Sequence, residues 1–200
     1  MASRARGDLI TMSSELRVDK IIPTGGVPTG GGGGIIQVVS AYKGDPFSTS
    51  SNTFVDITGL SATITPKFST SKILVQCCMG AAGVRQSNND HGNGIRTLRS
   101  IGGGSFSTNN KLNGLVEGSR LGITYKGSAM SYNNDHMPGG FGFVGLDDPA
   151  TTSAVVYKVQ VMCQATTYPF YLNRAAANSD SSNIYHSTSM SSLILMEVSA

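Results

Sequence analysis

Apolar and polar residues alternate with a period of two along much of this chain, which is the pattern of strands that bury one face. The clearest stretch is Val155–Cys163, where valine, tyrosine and cysteine fall on one side while Lys158 and Gln160 fall on the other. No window carries the i, i+3, i+4, i+7 spacing of apolar residues that marks an amphipathic helix. The pattern therefore predicts an all-β protein.

Short strand-like runs follow one another from Ile35 onward, separated by Gly, Asn and Pro. We predict strands at Ile35–Ala41, Thr53–Thr58, Leu60–Thr65, Lys72–Met79, Ile95–Ile101, Leu115–Tyr125, Phe141–Gly145, Val155–Cys163, Tyr168–Leu172 and Leu193–Val198. About 8–10 short antiparallel strands of this kind predict a β-sandwich or jelly roll over residues 35–200.

The segment before these strands is predicted to be a separate arm. Gly30–Gly34 are five consecutive glycines, which have no side chains to bury and lose much backbone entropy on ordering. We interpret residues 1–34 as an extended N-terminal docking arm with a Gly-rich joint, and residues 35–200 as a head. A strand-like run rather than a helix follows the glycines, which disfavours a phosphate-binding loop.

The arm carries an apolar strip formed by Leu16, Val18, Ile21 and Ile22. Charged residues alternate with part of this strip, as in a half-buried strand, and an isolated strand of that length is not stable in water. We therefore expect the arm to dock on its own head, on a sister copy or on another protein.

The charge and apolar content of the chain exclude some classes of function. Charged residues make up only 14% of the chain, and the formal net charge of +3 owes much to arginines and a lysine in the arm. The nearly balanced head offers no basic groove, so we expect no nucleic-acid partner. No apolar run approaches the length of a membrane span, and no apolar stretch follows the N-terminal arginines, so we expect neither a membrane partner nor a signal peptide.

No convincing active site emerges from the residue types and their spacing. The histidines His91, His136 and His186 do not fall in a metalloprotease spacing, and no G-x-S-x-G elbow is present. Cys77 and Cys163 lie on the apolar faces of predicted strands, as buried thiols do. We expect no enzyme activity, no cofactor and no metal, although Asp90, His91, Asp135 and His136 include groups that metals accept.

One tetrapeptide recurs: Asn88, Asn89, Asp90 and His91 are repeated as Asn133, Asn134, Asp135 and His136, each set close to glycine. Such residues are common turn formers, and they can also bind sugar hydroxyls or a cation. If the flanking strands run antiparallel, both loops leave the same end of the head. Tyr132, beside the second loop, would then offer an apolar face to a pyranose ring. We predict that these residues form a polar tip at that end of the head.

The last predicted strand is apolar on both faces, with Leu193 and Leu195 on one side and Ile194, Met196 and Val198 on the other. A strand of that kind is normally covered on both sides. We therefore predict a homo-oligomer with Leu193 and Leu195 in its core, near the symmetry axis.

Several stretches resemble known proteins. The run Ser14–Pro23, the glycine tract and Ile35–Val39, together with Phe54–Leu60, Ser71–Val75, Leu146–Ser153 and Leu193–Val198, are similar to tail-fibre-like virion structural proteins of marine bacteriophages, of the cyanophage type. The resemblance covers much of the chain from Ser14, and Met1–Thr11 departs from it. It implies a virion protein assembled in the host cytoplasm, commonly a homotrimer, whose arm docks on other virion proteins.

The position on the particle is left open by these residues. A tail fibre or receptor-binding component, whose head contacts host surface polysaccharide, is the first interpretation. A capsid decoration or head-fibre protein is the alternative, because the same arm and sandwich can attach to a shell lattice. A polysaccharide-degrading tail enzyme is the alternative from another class, and it would need paired carboxylates in a cleft.

Overall fold

The computed structural model describes residues 34–85, 92–130, 139–177 and 179–199. The chain divides into two units, Met1–Gly31 and Gly32–Ala200, and the docking-arm residues Leu16, Val18, Ile21 and Ile22 lie outside the described residues. Within the described ranges the secondary structure is strand, with one 3-10 turn at Ile184–His186 and no α-helix. The strands are β1 (Ile35–Lys43), β2 (Phe47–Thr49), β3 (Val55–Ile64), β4 (Lys72–Met79), β5 (Ala82–Arg85), β6 (Gly92–Ile101), β7 (Tyr125–Met130), β8 (Phe141–Asp147), β9 (Val155–Cys163), β10 (Phe170–Leu172) and β11 (Ser191–Val198).

The strands form two sheets. The four-stranded sheet has the order β1-β11-β4-β8, and the seven-stranded sheet has the order β2-β10-β5-β7-β6-β9-β3. All pairings are antiparallel except β5 with β7, which is parallel. Buried residues of both sheets join in a single hydrophobic core. The predicted all-β sandwich is confirmed.

The period-two pattern explains which residues fill the core. In β9 the side chains of Val155, Tyr157, Val159, Val161 and Cys163 are all fully buried. Strands β4 and β11 alternate in the same way, with one face buried and the other at least partly exposed. Burying one large aliphatic side chain contributes roughly 1.5–3 kcal/mol, so this alternation stabilises the sandwich and fixes its register.

One predicted strand break is a bulge instead. The runs predicted as Thr53–Thr58 and Leu60–Thr65 form the single strand β3, whose pairing with β9 shifts register between Asp56 and Ser61. Gly59 has a φ of 92°, a conformation that other residues avoid. The glycine therefore bends the strand without ending it.

The strand predicted at Leu115–Tyr125 is wrong. Residues before Tyr125 form a loop with a tight turn from Glu117 to Arg120, in which Gly118 has a φ of 60°. Leu115 and Leu121 are exposed, so their apolar pattern does not correspond to a buried face. The strand begins at Tyr125, where the backbone pairs with β6.

The placement of Leu193 and Leu195 in an oligomer core is also wrong. Both side chains are fully buried between the two sheets of a single chain, so neither can reach a neighbouring copy. The opposite face of β11 carries Ile194 and Met196, which are partly exposed. Both faces of β11 are apolar, as the sequence indicates, but the face left partly exposed is the one that carries Ile194 and Met196.

A charged cluster bridges the two sheets inside the sandwich. Asp147, at the end of β8, is 1% exposed and accepts two hydrogen bonds of 2.8 Å from Arg99 Nη1 on β6. Tyr157 Oη on β9 donates a third at 2.7 Å. Burial, with a smaller contribution from this bond to the carboxylate, raises the pKa of Tyr157, so the phenol stays protonated as the donor.

Glu197 on β11 is a second buried carboxylate, and it holds the loop that follows β3. Its oxygens accept hydrogen bonds from the backbone N–H of Lys67 at 2.7 Å and from Gln37 Nε2 at 2.6 Å. Burial by itself raises the pKa of Glu197, but these hydrogen bonds outweigh it and hold the pKa below the ordinary value of 4.5.

We expect acid to remove the stabilisation that Glu197 provides. Because its pKa is lower in the folded than in the unfolded chain, its contribution is complete above about pH 4.5 and is lost as the pH falls through the folded-state pKa. Glu197→Gln should lower the free energy of unfolding by about 1–3 kcal/mol at pH 7, with a smaller difference at pH 3, measured by urea denaturation. Glu117→Gln, at an exposed ion pair with Arg120, is the control. An equal difference at both pH values would contradict the prediction.

Candidate functional site

The strands that flank the two repeated loops meet at one end of the head. Residues 88–91 and 132–136, the predicted tip, lie outside the described residues, so only their flanking strands can be placed. Strand β6 begins opposite the end of β7, with Gly92 paired to Ser128. Strand β5, which precedes the first loop, runs parallel to β7, with Arg85 beside Met130. The strands that follow the first loop and precede the second, β6 and β7, therefore run antiparallel, as the prediction of a shared end requires.

The four-stranded sheet shows which end this is. Its last row joins Lys43, Ser191, Met79 and Phe141, and the chain around Gly80 and Gly140 continues from there toward the two loops. The row at the opposite end joins Ile35, Val198 and Lys72. About seven residues at 3.3 Å each separate the two rows, a distance of roughly 23 Å. We call the first the loop end and the second the arm end, because the chain enters the head at Gly34.

A cleft of about 240 Å³ lies on the seven-stranded sheet beside the start of β6. Gly94 lies at the floor of the cleft and has no side chain to fill it. A methyl group added at Gly94 would lie 3.5 Å from Met162 Cγ on β9. Ile123 and Leu121, from the loop before β7, supply an apolar wall, and Lys126 with Gln164 adds polar groups. The lining therefore combines a small apolar surface with an amide and a cation.

Polar side chains hold that wall in place. Asn113 is buried, accepts a hydrogen bond from Thr97 N at 3.1 Å and donates one to Thr97 O at 2.8 Å. Thr124 Oγ1 also accepts from Thr97 N, at 2.9 Å, and Thr124 N donates to Ile95 O at 2.8 Å. These bonds fasten the segment before β7 to β6, and they fix the position of Ile123 next to Gly94.

Asn93 is the most unusual polar residue near the cleft. It is 2% exposed, its backbone lies between the two cleft glycines Gly92 and Gly94, and its side chain packs against the backbone of Gly127. Neither its amide nitrogen nor its amide oxygen has a hydrogen-bond partner within the described part of the chain. An unpaired buried amide costs roughly 1–3 kcal/mol.

The outer face of the seven-stranded sheet carries a continuous polar network. Arg96 stacks over the ring of Phe54 at 4.0 Å and donates to Gln160, which in turn donates to Asp56 at 2.6 Å. Lys158 pairs with Asp56 at 2.9 Å. Burial by itself raises the pKa of Asp56, but the hydrogen bonds from Gln160 and Lys158 outweigh this effect. The pKa of Asp56 is therefore below its ordinary value, and the carboxylate stays charged. Charged and amide side chains of β3, β6 and β9 therefore pair with one another on this face.

Two carboxylates among the described residues, Asp147 and Glu197, are buried, and both accept hydrogen bonds from neighbouring groups of the protein. In the described ranges no three His, Cys, Asp or Glu side chains are placed to hold a metal ion. Nor does this part of the chain include a helix long and apolar enough to cross a membrane.

The sequence pattern did not predict the cleft. The predicted strand Ile95–Ile101 leaves out Gly92, Asn93 and Gly94, whereas these residues are the first of β6. A glycine on each side of an asparagine within a strand was the available signal, because strand glycines mark close backbone or ligand approach.

Comparison with known proteins adds no relative. No protein-family model matches the chain, and no curated protein sequence matches it.

Proposed function

We propose that this chain is a bacteriophage virion structural protein, a tail fibre or receptor-binding component whose head contacts the host surface. Its N-terminal arm docks on other virion proteins, and its head works as a homotrimer. The protein is assembled in the host cytoplasm and resides in the virion. The trimer and the viral setting rest on the resemblance described for Ser14 onward.

The observation that carries the proposal is the opposition of the two ends of the head. The chain enters at Gly34, at the arm end, while the strands that flank both Asn-Asn-Asp-His loops terminate at the loop end. A protein held through its arm then presents the loops outward.

The cleft and the loops suit host polysaccharide. The apolar wall formed by Ile123 and Leu121 can lie against the carbon face of a pyranose, while Gln164 and Lys126 reach hydroxyl or acidic groups. A single hydrogen bond contributes only about 1 kcal/mol net, so one site binds weakly. Several copies on one particle gain affinity by multivalency. Binding without cleavage is sufficient for attachment.

A loop variant tests the proposal in the particle. Phage carrying Asn89, Asp90, Asn134 and Asp135 all replaced by alanine should adsorb to host cells at least about tenfold more slowly, because the loss of several weak contacts is multiplied over the copies. The measurement is the rate at which free phage disappear from a mixture with host cells. The matched control replaces Lys72 and Asp148, exposed residues at the arm end, and should adsorb normally.

Normal adsorption of the loop variant, with the protein present in the particle, would overturn the host-contact function. Immunogold labelling of the wild-type phage then separates the remaining positions. Label on the tail agrees with the proposal, whereas label spread over the capsid would identify a decoration protein. Release of reducing sugar from host polysaccharide by the purified protein would assign it to the enzymes.

A further inference from the structure

The outer face of the four-stranded sheet is apolar and open. One row of paired residues across this face consists of Val38, Met196, Leu74 and Leu146. In the next row Ile194 and Val144 add two more apolar side chains. Val38 is 56% exposed and Val144 is 65% exposed. Contiguous apolar surface of this kind on a soluble protein usually marks an interaction site.

The two outer faces of the sandwich differ in charge. The seven-stranded sheet carries the network of Arg96, Asp56 and Lys158 on its outer face. The three central rows of the four-stranded sheet carry no charged residue on their outer side, and the first charge is Lys72 at the arm end. The central rows of this face therefore lack the charged groups that the other sheet carries.

We infer that this face is the interface between copies of this chain. Its polar members are Ser40, Gln76, Tyr42 and Ser192, and all four are neutral groups that both donate and accept hydrogen bonds. Such groups can pair with their own kind across a symmetry axis, whereas a charged group would meet a like charge. A neutral, self-compatible face fits a second copy better than a partner that must be selected by charge.

The size of the face bears on how copies pack. Four strands at 4.8 Å and three rows at about 7 Å give a patch of roughly 20 by 20 Å, or about 400 Å² per copy. A standard stable interface buries about 800 Å² per partner, so this face alone would join two copies only weakly. The edge strands β1 and β8 flank the face, and a closed ring whose symmetry axis passes along this face would bring the same groups of every copy together and bury those edges as well. This deepens the trimeric head of the proposed function by naming its surface.

Val144→Lys tests the inference with the purified full-length chain. Every copy would then place an ammonium group in the interface, next to the same group of its neighbours, and self-association should weaken by at least about 100-fold. Sedimentation equilibrium should show an oligomer for the wild type and a monomer for the variant, with equal circular dichroism. Val38→Lys, in the neighbouring row, should act in the same way. Val116→Lys, at an exposed loop valine, is the matched control and should remain oligomeric.

Cys78 provides a second readout on the same face. It is exposed in the single chain, whereas Cys77 and Cys163 are buried, and burial raises the pKa of Cys77 to about 12. A thiol reagent should therefore modify Cys78 at least about tenfold faster in Val144→Lys than in the wild type. A monomeric wild type at micromolar concentration would overturn the inference, as would an oligomer that survives both lysine variants. Neither measurement involves host cells, so its failure is distinct from failure of the adsorption test.

Discussion

Replacing Leu195 by alanine is expected to lower the free energy of unfolding of the head by about 2–5 kcal/mol. The side chain is fully buried between the sheets, so truncation removes apolar contacts and leaves a cavity. Urea denaturation of the full-length chain, followed by circular dichroism, measures the change. Ile194→Ala, one residue earlier on the open face of the same strand, should cost less than about 1 kcal/mol in the dissociated chain.

Concentration dependence separates a core position from an interface position. The loss for Leu195→Ala should be the same at every protein concentration, because the side chain packs only within its own chain. The effect of Ile194→Ala should appear mainly in self-association. Two variants with equal unfolding free energies in the monomer would contradict the placement of Leu195 in the core.

Asp147→Ala is expected to destabilise the head by about 3–5 kcal/mol, because it removes the carboxylate that neutralises a partly buried arginine. Arg99 would lose the carboxylate that it contacts at 2.8 Å, and Tyr157 Oη would lose its acceptor inside the sandwich. Asp148→Ala, at the next position, removes a carboxylate that is 59% exposed and should change stability by about 0.5 kcal/mol or less.

Tyr157→Phe divides the effect of this cluster. The phenol oxygen is removed while the ring and the Asp147–Arg99 pair remain, so a smaller loss of about 1–2 kcal/mol is expected. The double variant Asp147→Ala, Tyr157→Phe should lose less than the sum of the two, because each single change leaves the other partner unsatisfied. Additive losses would show that the two side chains act independently.

The sequence predicts best the strands whose alternation is long. Lys72–Met79 and Val155–Cys163 were predicted with the bounds that the structure has, because eight or nine residues suffice to define a period of two. Strands β2 and β5, with three and four residues, were missed because so short a run has no measurable period. Leu115–Tyr125 failed for the opposite reason, since exposed loop residues happened to alternate.

Strand pairing could not be predicted from local pattern. The neighbours of β11 are β1 and β4, which are far away along the chain, and nothing in a period of two selects them. The error over Leu193 and Leu195 has this origin: both faces of β11 are apolar, and only the pairing shows which one meets the seven-stranded sheet. The cleft beside Gly94 likewise depends on bringing β6, β9 and the segment before β7 together.

The separation of the arm end from the loop end has a mechanical consequence. Under the proposed function, a pull between an anchored arm and a bound host would enter the four-stranded sheet at Gly34, along β1, and leave at Gly140, along β8. The force would then run parallel to the strands, while the hydrogen bonds between antiparallel strands are perpendicular to them. Each ladder would be loaded in shear, so all of its hydrogen bonds would have to break together, whereas a pull at one end would break them one at a time. The proposed function therefore implies that tension passes along the strands of this sheet.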